Sequence, residues 1–447
     1  MNKQQNAIYD ASTLGIPKML LLGLQHMFAM FGATILVPIL VDGYFEGDGL
    51  SIQVTLFCVG LGTLFFHFCT RFKVPAFLGS SFAFLGGYYT VASLDGGIYT
   101  NMSMAEKLPY ACGGVVVAGF LYLVLALIVK LVGIRRMMHF LPPVVTGPII
   151  ICIGLSLAPS AISNASMNWP LALIAFAVVV ICNIWGKGML KIIPILLGVV
   201  ISYICALIFH AAGMTNADGS SILDFSAAAS AGIVGFPPFW LCKFDITSIL
   251  VMAPIAIATM MEHIGDDSAI SATVGKNFIE DPGLHRTLAG DGLATALSAM
   301  LGGPANTTYG ENTGVLELSH VYDPKVPRLA AIFAIVLSFF PKVAEFIGSM
   351  PDAIVGGISF ILYGMISAVG VRNIVENKVD FTSSRNLIIA AVILVCGLGF
   401  SDGLTFSVFG TDITLTALAI AAIAGVALNA ILPGNEYTFN DTDTRDA

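Results

Sequence analysis

Long unbroken apolar runs, separated by short stretches that hold charge, proline or glycine, make up most of this chain. The strands of an outer-membrane barrel alternate apolar and polar residues; segments such as 113–132 and 413–432 do not. A helix surrounded by lipid needs about 20 apolar residues. On that basis the pattern predicts spans over 18–40, 52–69, 74–91, 109–132, 141–161, 168–185 and 190–212. A polar stretch, 214–226, and a proline-containing piece around 236–240 follow. A second set reads 246–265, 284–301, 302–320, 327–347, 353–371, 386–399 and 413–432. The third and tenth runs are poor spans by hydropathy alone.

Composition places the chain in a membrane. Of 447 residues, 57% are hydrophobic, another 46 are glycine and 11% are charged, against about 25% charged in a soluble domain. A mean hydropathy of +0.88 leaves too little polar cover for a water-exposed surface. Soluble enzymes, nucleic-acid binders and disordered regulators are excluded. The net charge of −8 carries little information, because most acids lie in loops and in a tail such as 440–447. No basic run in the sequence suggests a patch for nucleic acid or lipid headgroups. The eight cysteines are scattered, without CxxC or a pairing pattern, and read as small buried side chains. Residues 1–17 lack the features of a cleaved signal peptide, so the first span is expected to act as an uncleaved insertion signal.

The lysines and arginines test the span assignment independently. With a cytoplasmic N-terminus, Lys107, Lys243 and Lys342 are the three that fall outside, and the other seventeen of twenty fall inside. This asymmetry predicts fourteen spans with both termini cytoplasmic; dropping either poor span inverts every later loop. Gln25-His26 in span 1 echoes Glu262-His263 in span 8, and Leu141-Pro-Pro-Val-Val-Thr-Gly echoes Met350-Pro-Asp-Ala-Ile-Val-Gly. With seven spans per half, the second copy enters the membrane inverted, a common transporter plan. The expected organisation is a first repeat over 1–213, a connection over 214–245, a second repeat over 246–433 and a cytoplasmic tail over 434–447.

The chemistry concentrates in few places. Pro75-Ala-Phe-Leu-Gly-Ser-Ser-Phe-Ala-Phe-Leu-Gly-Gly87 and Gly302-Gly-Pro-Ala-Asn-Thr-Thr-Tyr-Gly-Glu-Asn-Thr-Gly314 occupy the third and tenth spans. Irregular backbone at membrane depth survives only inside protein or along a wet cavity, where its polar groups become available to a ligand. The alternative is a pair of kinked helices packed through small residues. Glu262 and Asp266 are four apart and share one helix face, and Glu311 lies in the tenth span. Glu262 and Glu311 are expected to hold a polar ligand, one or both titrating during transport, because intramembrane acids are costly and so functional by default. Asp267 reads as the start of a cytoplasmic loop. His26 is a candidate for a proton path, His263 a weaker one, and Asp291 an unexplained intramembrane acid. Phe82 and Tyr363 are able to stack on a flat ring but equally suit an ordinary core. No HExxH spacing or second ligand cluster points to a metal, no cofactor is implied, and no nucleophile–base set suggests an enzyme.

Glu262-His-Ile-Gly, Asp281-Pro-Gly-Leu-His-Arg286 and Asn306-Thr-Thr-Tyr-Gly-Glu-Asn-Thr-Gly314 together resemble the nucleobase–ascorbate transporter family of nucleobase:cation symporters, and its uracil permease branch most. Leu24-Gln-His-Met-Phe-Ala-Met-Phe-Gly-Ala-Thr34, Pro75–Phe84 and Leu362-Tyr-Gly364 extend the resemblance over most of the chain. It implies an all-α fold of fourteen spans in a seven-plus-seven inverted repeat, with spans 3 and 10 broken by short antiparallel strands. Spans 1–4 and 8–11 would form a core domain and spans 5–7 and 12–14 a gate. It further implies proton-coupled uracil uptake across the cytoplasmic membrane by an elevator-like movement, and a homodimer in the bilayer. Glu262 and Glu311 would bind uracil through their carboxylates, backbone groups at Phe82 and Gly310 would complete its hydrogen bonding, and Ala33, Ser81, Tyr309 and Tyr363 would line the pocket. Glu262, Asp266, Glu311 and His26 are the candidates for proton coupling. Two positions depart from the pattern: Asp266 stands where uracil permeases often carry His, as in purine-transporting relatives, and the family signature ends here in Ser319-His320. A xanthine or other purine symporter therefore stays open, and so does an anion carrier of the same fold, although two site carboxylates would repel an anion.

Overall fold

The computed structural model describes residues 7–434 apart from 402, 409 and 410, so most of the tail expected over 434–447 lies outside the described residues. In chain order the elements are α1 (Ile16–Tyr44), α2 (Ile52–Cys69), β1 (Leu78–Ser80), α3 (Leu85–Ala92), α4 (Met104–Val132), α5 (Ile134–Phe140), α6 (Pro143–Ser156), α7 (Ala158–Ser166), α8 (Trp169–Trp185), α9 (Met189–Ile192), α10 (Pro194–Ala211), α11 (Ser226–Ser230), α12 (Ile246–Met252), α13 (Ile255–Val274), α14 (Leu284–Met300), β2 (Asn306–Thr308), α15 (Gly310–Ser319), α16 (Lys325–Leu337), α17 (Pro341–Gly348), α18 (Asp352–Glu376), α19 (Ser384–Gly399), β3 (Leu404–Val408), β4 (Thr411–Leu415) and α20 (Ala417–Ile431). Among the described residues seven helices are long and apolar enough to cross a membrane, or eight if the bent pair α16–α17 counts as one.

Local chemistry sets the ends of these helices. Glu106 Oε2 accepts from both the backbone N–H and the hydroxyl of Ser103, each at 2.9 Å, which closes a capping box at the start of α4. Asp245 accepts from Thr247 N–H at 2.8 Å ahead of α12, and Asn168 caps α8. Large apolar side chains such as Phe120, Val124 and Leu131 on α4 stay exposed. In water this would be a liability; in a bilayer it is the lipid-facing surface.

Three span boundaries differ from the hydropathy pattern. The expected span 327–347 is two helices meeting at 92°, because Pro341 at the start of α17 cannot continue α16. The Ser338 carbonyl at the break accepts from Gln53 Nε2 at 2.8 Å. The expected span 413–432 begins in the β3–β4 hairpin and becomes helical at Ala417, as the β-branched run Thr411-Asp-Ile-Thr-Leu suits a strand. The expected span 246–265 divides around Pro254 and then runs on to Val274. Asp267 is accordingly inside α13 and fully buried, not at the start of a loop.

Two sets of helices pack among themselves. α14 lies on α4 and α2, α2 also on α16, α16 on α1, and α12 on α4. In the other set α18 lies on α6, α7 and α8, α19 on α6 and α20, and α10 on α8. Contacts of α1 with α10, and of α13 with α6 and α20, join the sets. Where no water drives helices together, close approach through small residues supplies the packing. Gly119 of α4 faces Gly292 of α14 so closely that a Cβ on Gly119 would meet the Gly292 carbonyl oxygen at 2.6 Å and Ala296 N at 2.9 Å. A strap formed by residues 8–11 crosses one end of the molecule. Ile8 pairs with Val321, and Ala11 N–H donates to Asp323 Oδ2 at 2.7 Å. Lys325 Nζ hydrogen-bonds Asp10 Oδ1 at 2.9 Å and holds that carboxyl down at about 2.

The α4–α14 contact has a direct test. Gly119→Val forces a side chain against the α14 backbone and is expected to cost at least about 1–3 kcal/mol, read as a lower unfolding midpoint in detergent. An unchanged midpoint would show that the two helices are not in contact there.

Candidate functional site

Two short strands bring the third and tenth stretches of the sequence together. β1 and β2 pair antiparallel with Leu78 opposite Thr308, Gly79 opposite Thr307 and Ser80 opposite Asn306. The ladder continues past the strands, with Ser81 N–H donating to the Ala305 carbonyl at 2.8 Å and Tyr309 N–H to the Phe77 carbonyl at 3.0 Å. Every strand residue is buried. Gly79 is required by close approach: a Cβ there would fall inside the Tyr309 ring. The Tyr309 hydroxyl donates to the Ser80 carbonyl at 2.9 Å, and Ser80 Oγ donates to the Thr34 carbonyl on α1 at 2.8 Å. Thr295 Oγ1 on α14 accepts from Asn306 N–H at 3.2 Å and donates to its carbonyl at 3.0 Å. The crossing is therefore fastened to α1 and α14 as well as to itself.

Each strand is followed by a helix, α3 after β1 and α15 after β2. The first N–H groups of a helix have no acceptor within it and carry the positive end of its dipole. At this junction lies a cavity of about 270 Å³ whose wall includes Phe82, Glu262, Asp266, Thr308, Gly310 and Glu311. The volume is just below the roughly 300–1,000 Å³ typical of sites for drug-sized ligands, which suits a single small ring. Gly310 is open to it, since a Cβ there would meet nothing within 4 Å. Asp266 accepts from Thr308 Oγ1 at 2.9 Å, whereas Oε2 of Glu262 is buried and has no hydrogen-bond partner among the described residues. Glu317 and Arg372 complete the polar lining towards the far ends of α15 and α18.

Of the residues singled out in the sequence, Phe82, Glu262, Asp266, Tyr309, Gly310 and Glu311 share this wall. Ala33, Ser81 and Tyr363 are buried nearby but not among its lining residues. Tyr363 meets the Phe82 ring edge-on, centroids 5.9 Å apart. His26 is fully buried and not in the cavity wall. Its Nδ1 and its carbonyl both lie 3.1 Å from Asn312 Nδ2, which ties α1 to α15. At Phe82 the chain leaves this wall. Its neighbour Ala83 lines a second cavity, of about 460 Å³, with Tyr44, Ser156 and Ser160.

Sequence reasoning missed two features. Thr308, the donor to Asp266, carried no signal beyond its place in a polar stretch. The second feature lies behind Glu262: His263 Nδ1 is 3.0 Å from Asp291 Oδ2 on α14, and Nε2 is 3.5 Å from Asp267 Oδ2. All three side chains are wholly buried. The unexplained acid Asp291 and the supposed loop acid Asp267 thus flank one imidazole, and i,i+4 spacing was the signal for the second pair.

A family model described as the permease family matches residues 17–405. The chain is 42% identical over 450 residues to a uracil permease of Bacillus caldolyticus, covering 97% of this chain and 96% of that one. It is 38% identical to a uracil permease of Bacillus subtilis (strain 168), covering 94% and 93%, and 36% identical to a putative pyrimidine permease, RutG, of Escherichia coli (strain K12), covering 92% and 88%. Among solved structures, SLC26A9 superposes with a TM-score of 0.66 at 11% identity, covering 95% of this chain and 66% of its own. The transmembrane domain of the cyanobacterial bicarbonate transporter BicA gives 0.61 at 14%, covering 93% and 99%. At such identities the likeness is one of fold.

The buried imidazole makes a prediction independent of any ligand. His263→Leu leaves Asp267 and Asp291 facing each other without a partner, and is expected to cost about 3–5 kcal/mol, seen as a large fall in the unfolding midpoint. A midpoint within a degree or so of the parent's would mean that the two acids do not depend on His263.

Proposed function

The chain belongs to the nucleobase–ascorbate transporter family and is a multi-pass membrane protein, and from that premise we propose that it imports uracil by proton symport. The observation that carries the reading is the meeting of Glu262 and Glu311 in one small cavity at the end of a buried strand pair, with an oxygen of Glu262 lacking any partner. Uracil presents two N–H donors and two carbonyl acceptors on a small flat ring. The two carboxylates accept from the N–H groups, and backbone N–H groups at Phe82 and Gly310 donate to the carbonyls. A ring with donors and acceptors exchanged leaves buried groups unpaired, which such a site penalises heavily. The names of the related uracil permeases support the same substrate.

Coupling follows from charge. Four carboxylates, those of Glu262, Asp266 and Glu311 with Glu317 further along α15, share the cavity wall with Arg372, the one basic side chain among its described lining residues. Moving an ionised carboxylate across the bilayer is costly. A proton taken up on Glu262 reduces the negative charge of the loaded site, and Asp266, Glu311 and His26 are the other carriers to be tested. We place spans 1–4 and 8–11 in a core that moves, elevator-like, against a gate of spans 5–7 and 12–14, within fourteen spans of two inverted repeats and with both termini in the cytoplasm. The division of the helices into two sets that pack mainly among themselves supports this. We also propose that the protein works as a homodimer in the bilayer.

The test is uptake of radiolabelled uracil into proteoliposomes under an imposed inward proton gradient, with xanthine as unlabelled competitor. Accumulation that collapses with a protonophore and is indifferent to xanthine is expected. Glu262→Gln and Glu311→Ala should each reduce uptake tenfold or more, a hydrogen bond to a charged group being worth about 1.5–3 kcal/mol. Competition by xanthine would move the substrate to the purines, and normal uptake in both variants would end the site assignment.

A further inference from the structure

Three stretches far apart in the sequence meet at one cleft on the outside of the helices. The end of α2 and the turn after it supply Phe68, Arg71 and Phe72, the last turns of α4 supply Leu127 and Lys130, and the first turn of α14 supplies His285 and Arg286. The cleft holds about 790 Å³. Its walls are apolar and open, with Phe68 67%, Leu127 55% and Phe72 47% exposed. Its rim carries three cationic side chains and an imidazole, and no carboxylate is among the lining residues. Asp281, four residues before His285, is already taken by Lys73 at 2.6 Å. Arg286 donates to the Cys69 carbonyl at 3.2 Å, which pins it at the rim, and Arg328 lies over the Phe72 ring at 4.9 Å behind it.

Gathering cations on one rim without a counter-charge is unfavourable, the more so where apolar walls exclude water. A small soluble anion would answer the charge and leave the walls bare; a neutral lipid would cover the walls and leave the charge. A lipid with a negative headgroup does both, as basic pockets between membrane helices do. Arg71, Lys130 and Arg286 also belong to segments that the charge asymmetry assigns to one side of the membrane, so they stand at one headgroup level. We propose that this cleft binds an anionic glycerophospholipid, its phosphate on Arg71, Lys130 and Arg286 and its acyl chains along Phe68, Phe72 and Leu127. The site does not depend on which ligand the central cavity takes. It requires only that the chain lies in a bilayer.

The experiment is native mass spectrometry of the full chain released from detergent, titrated with phosphatidylglycerol and, separately, with phosphatidylcholine. The unsubstituted chain should retain phosphatidylglycerol at concentrations where phosphatidylcholine is lost, and millimolar inorganic phosphate should not displace it. Each surface cation near anionic lipid is worth roughly fivefold in binding, so Arg71→Gln with Lys130→Gln should weaken retention about 25-fold. Arg286 is spared because its hydrogen bond braces α2. Lys130→Arg should retain binding, which separates loss of charge from misfolding. Equal retention of phosphatidylglycerol by the double variant, or of phosphatidylcholine by the unsubstituted chain, would overturn the proposal. So would displacement by inorganic phosphate, which would make the cleft a site for small anions.

Discussion

The antiparallel contact between β1 and β2 is the constraint on which the rest depends. Two stretches of chain give up helical hydrogen bonding deep inside the protein, where unpaired N–H and C=O groups are costly and no bulk water is at hand. Each solves the problem of the other. The pairs Leu78–Thr308, Gly79–Thr307 and Ser80–Asn306, with the flanking bonds from Ser81 and Tyr309, satisfy the backbone at the crossing. Beyond the strands α3 and α15 begin, whose first N–H groups have no acceptor within their own helices. The price is paid in side-chain choice: glycine at 79 so that the Tyr309 ring can lie on the strand, and hydroxyls at Ser80 and Thr295 to bind the pair to α1 and α14.

From that crossing follows the placement of charge. β2 delivers Gly310 and Glu311 to the start of α15, and α13 passes close enough for Thr308 to hold Asp266. Glu262, one turn back on the same face, reaches the cavity with an oxygen to spare. On the adjacent face of α13, a rotation of about 100° away, His263 sits between Asp267 and Asp291. One helix thus carries two acidic sets with different surroundings, one set opening on a cavity and the other enclosed by α14. Acids exposed to a cavity can exchange protons and ligands; acids shut in with an imidazole hold two helices in register.

The helices around this centre are joined by small residues, because in a bilayer the hydrophobic effect does not press apolar faces together. Gly119 against Gly292, and Gly356 against the Ala161–Ala165 turn of α7, let backbones approach to contact. The close crossings lie within each of the two helix sets. Between the sets the links are fewer and include α1 with α10, α13 with α6 and α20, and α12 with β4.

Much of this was determined by the sequence alone. Apolar runs without polar interruption can only suit lipid, and the run 52–69 coincides with α2 from Ile52 to Cys69. The i,i+4 spacing of Glu262 and Asp266 put both on one helix face, and both line the cavity. These are local properties, read from hydropathy and helix period. Tertiary structure decided whatever depends on partners distant in the chain. Asp267 looked like the polar end of a span because hydropathy sums neighbours and is blind to Asp291 and His263 packed around it. The 92° break at Pro341 rests on Gln53 taking up the freed Ser338 carbonyl. No basic run announced the outer cleft, since Arg71, Lys130 and Arg286 stand far apart in the sequence and become one rim only when α2, α4 and α14 pack side by side.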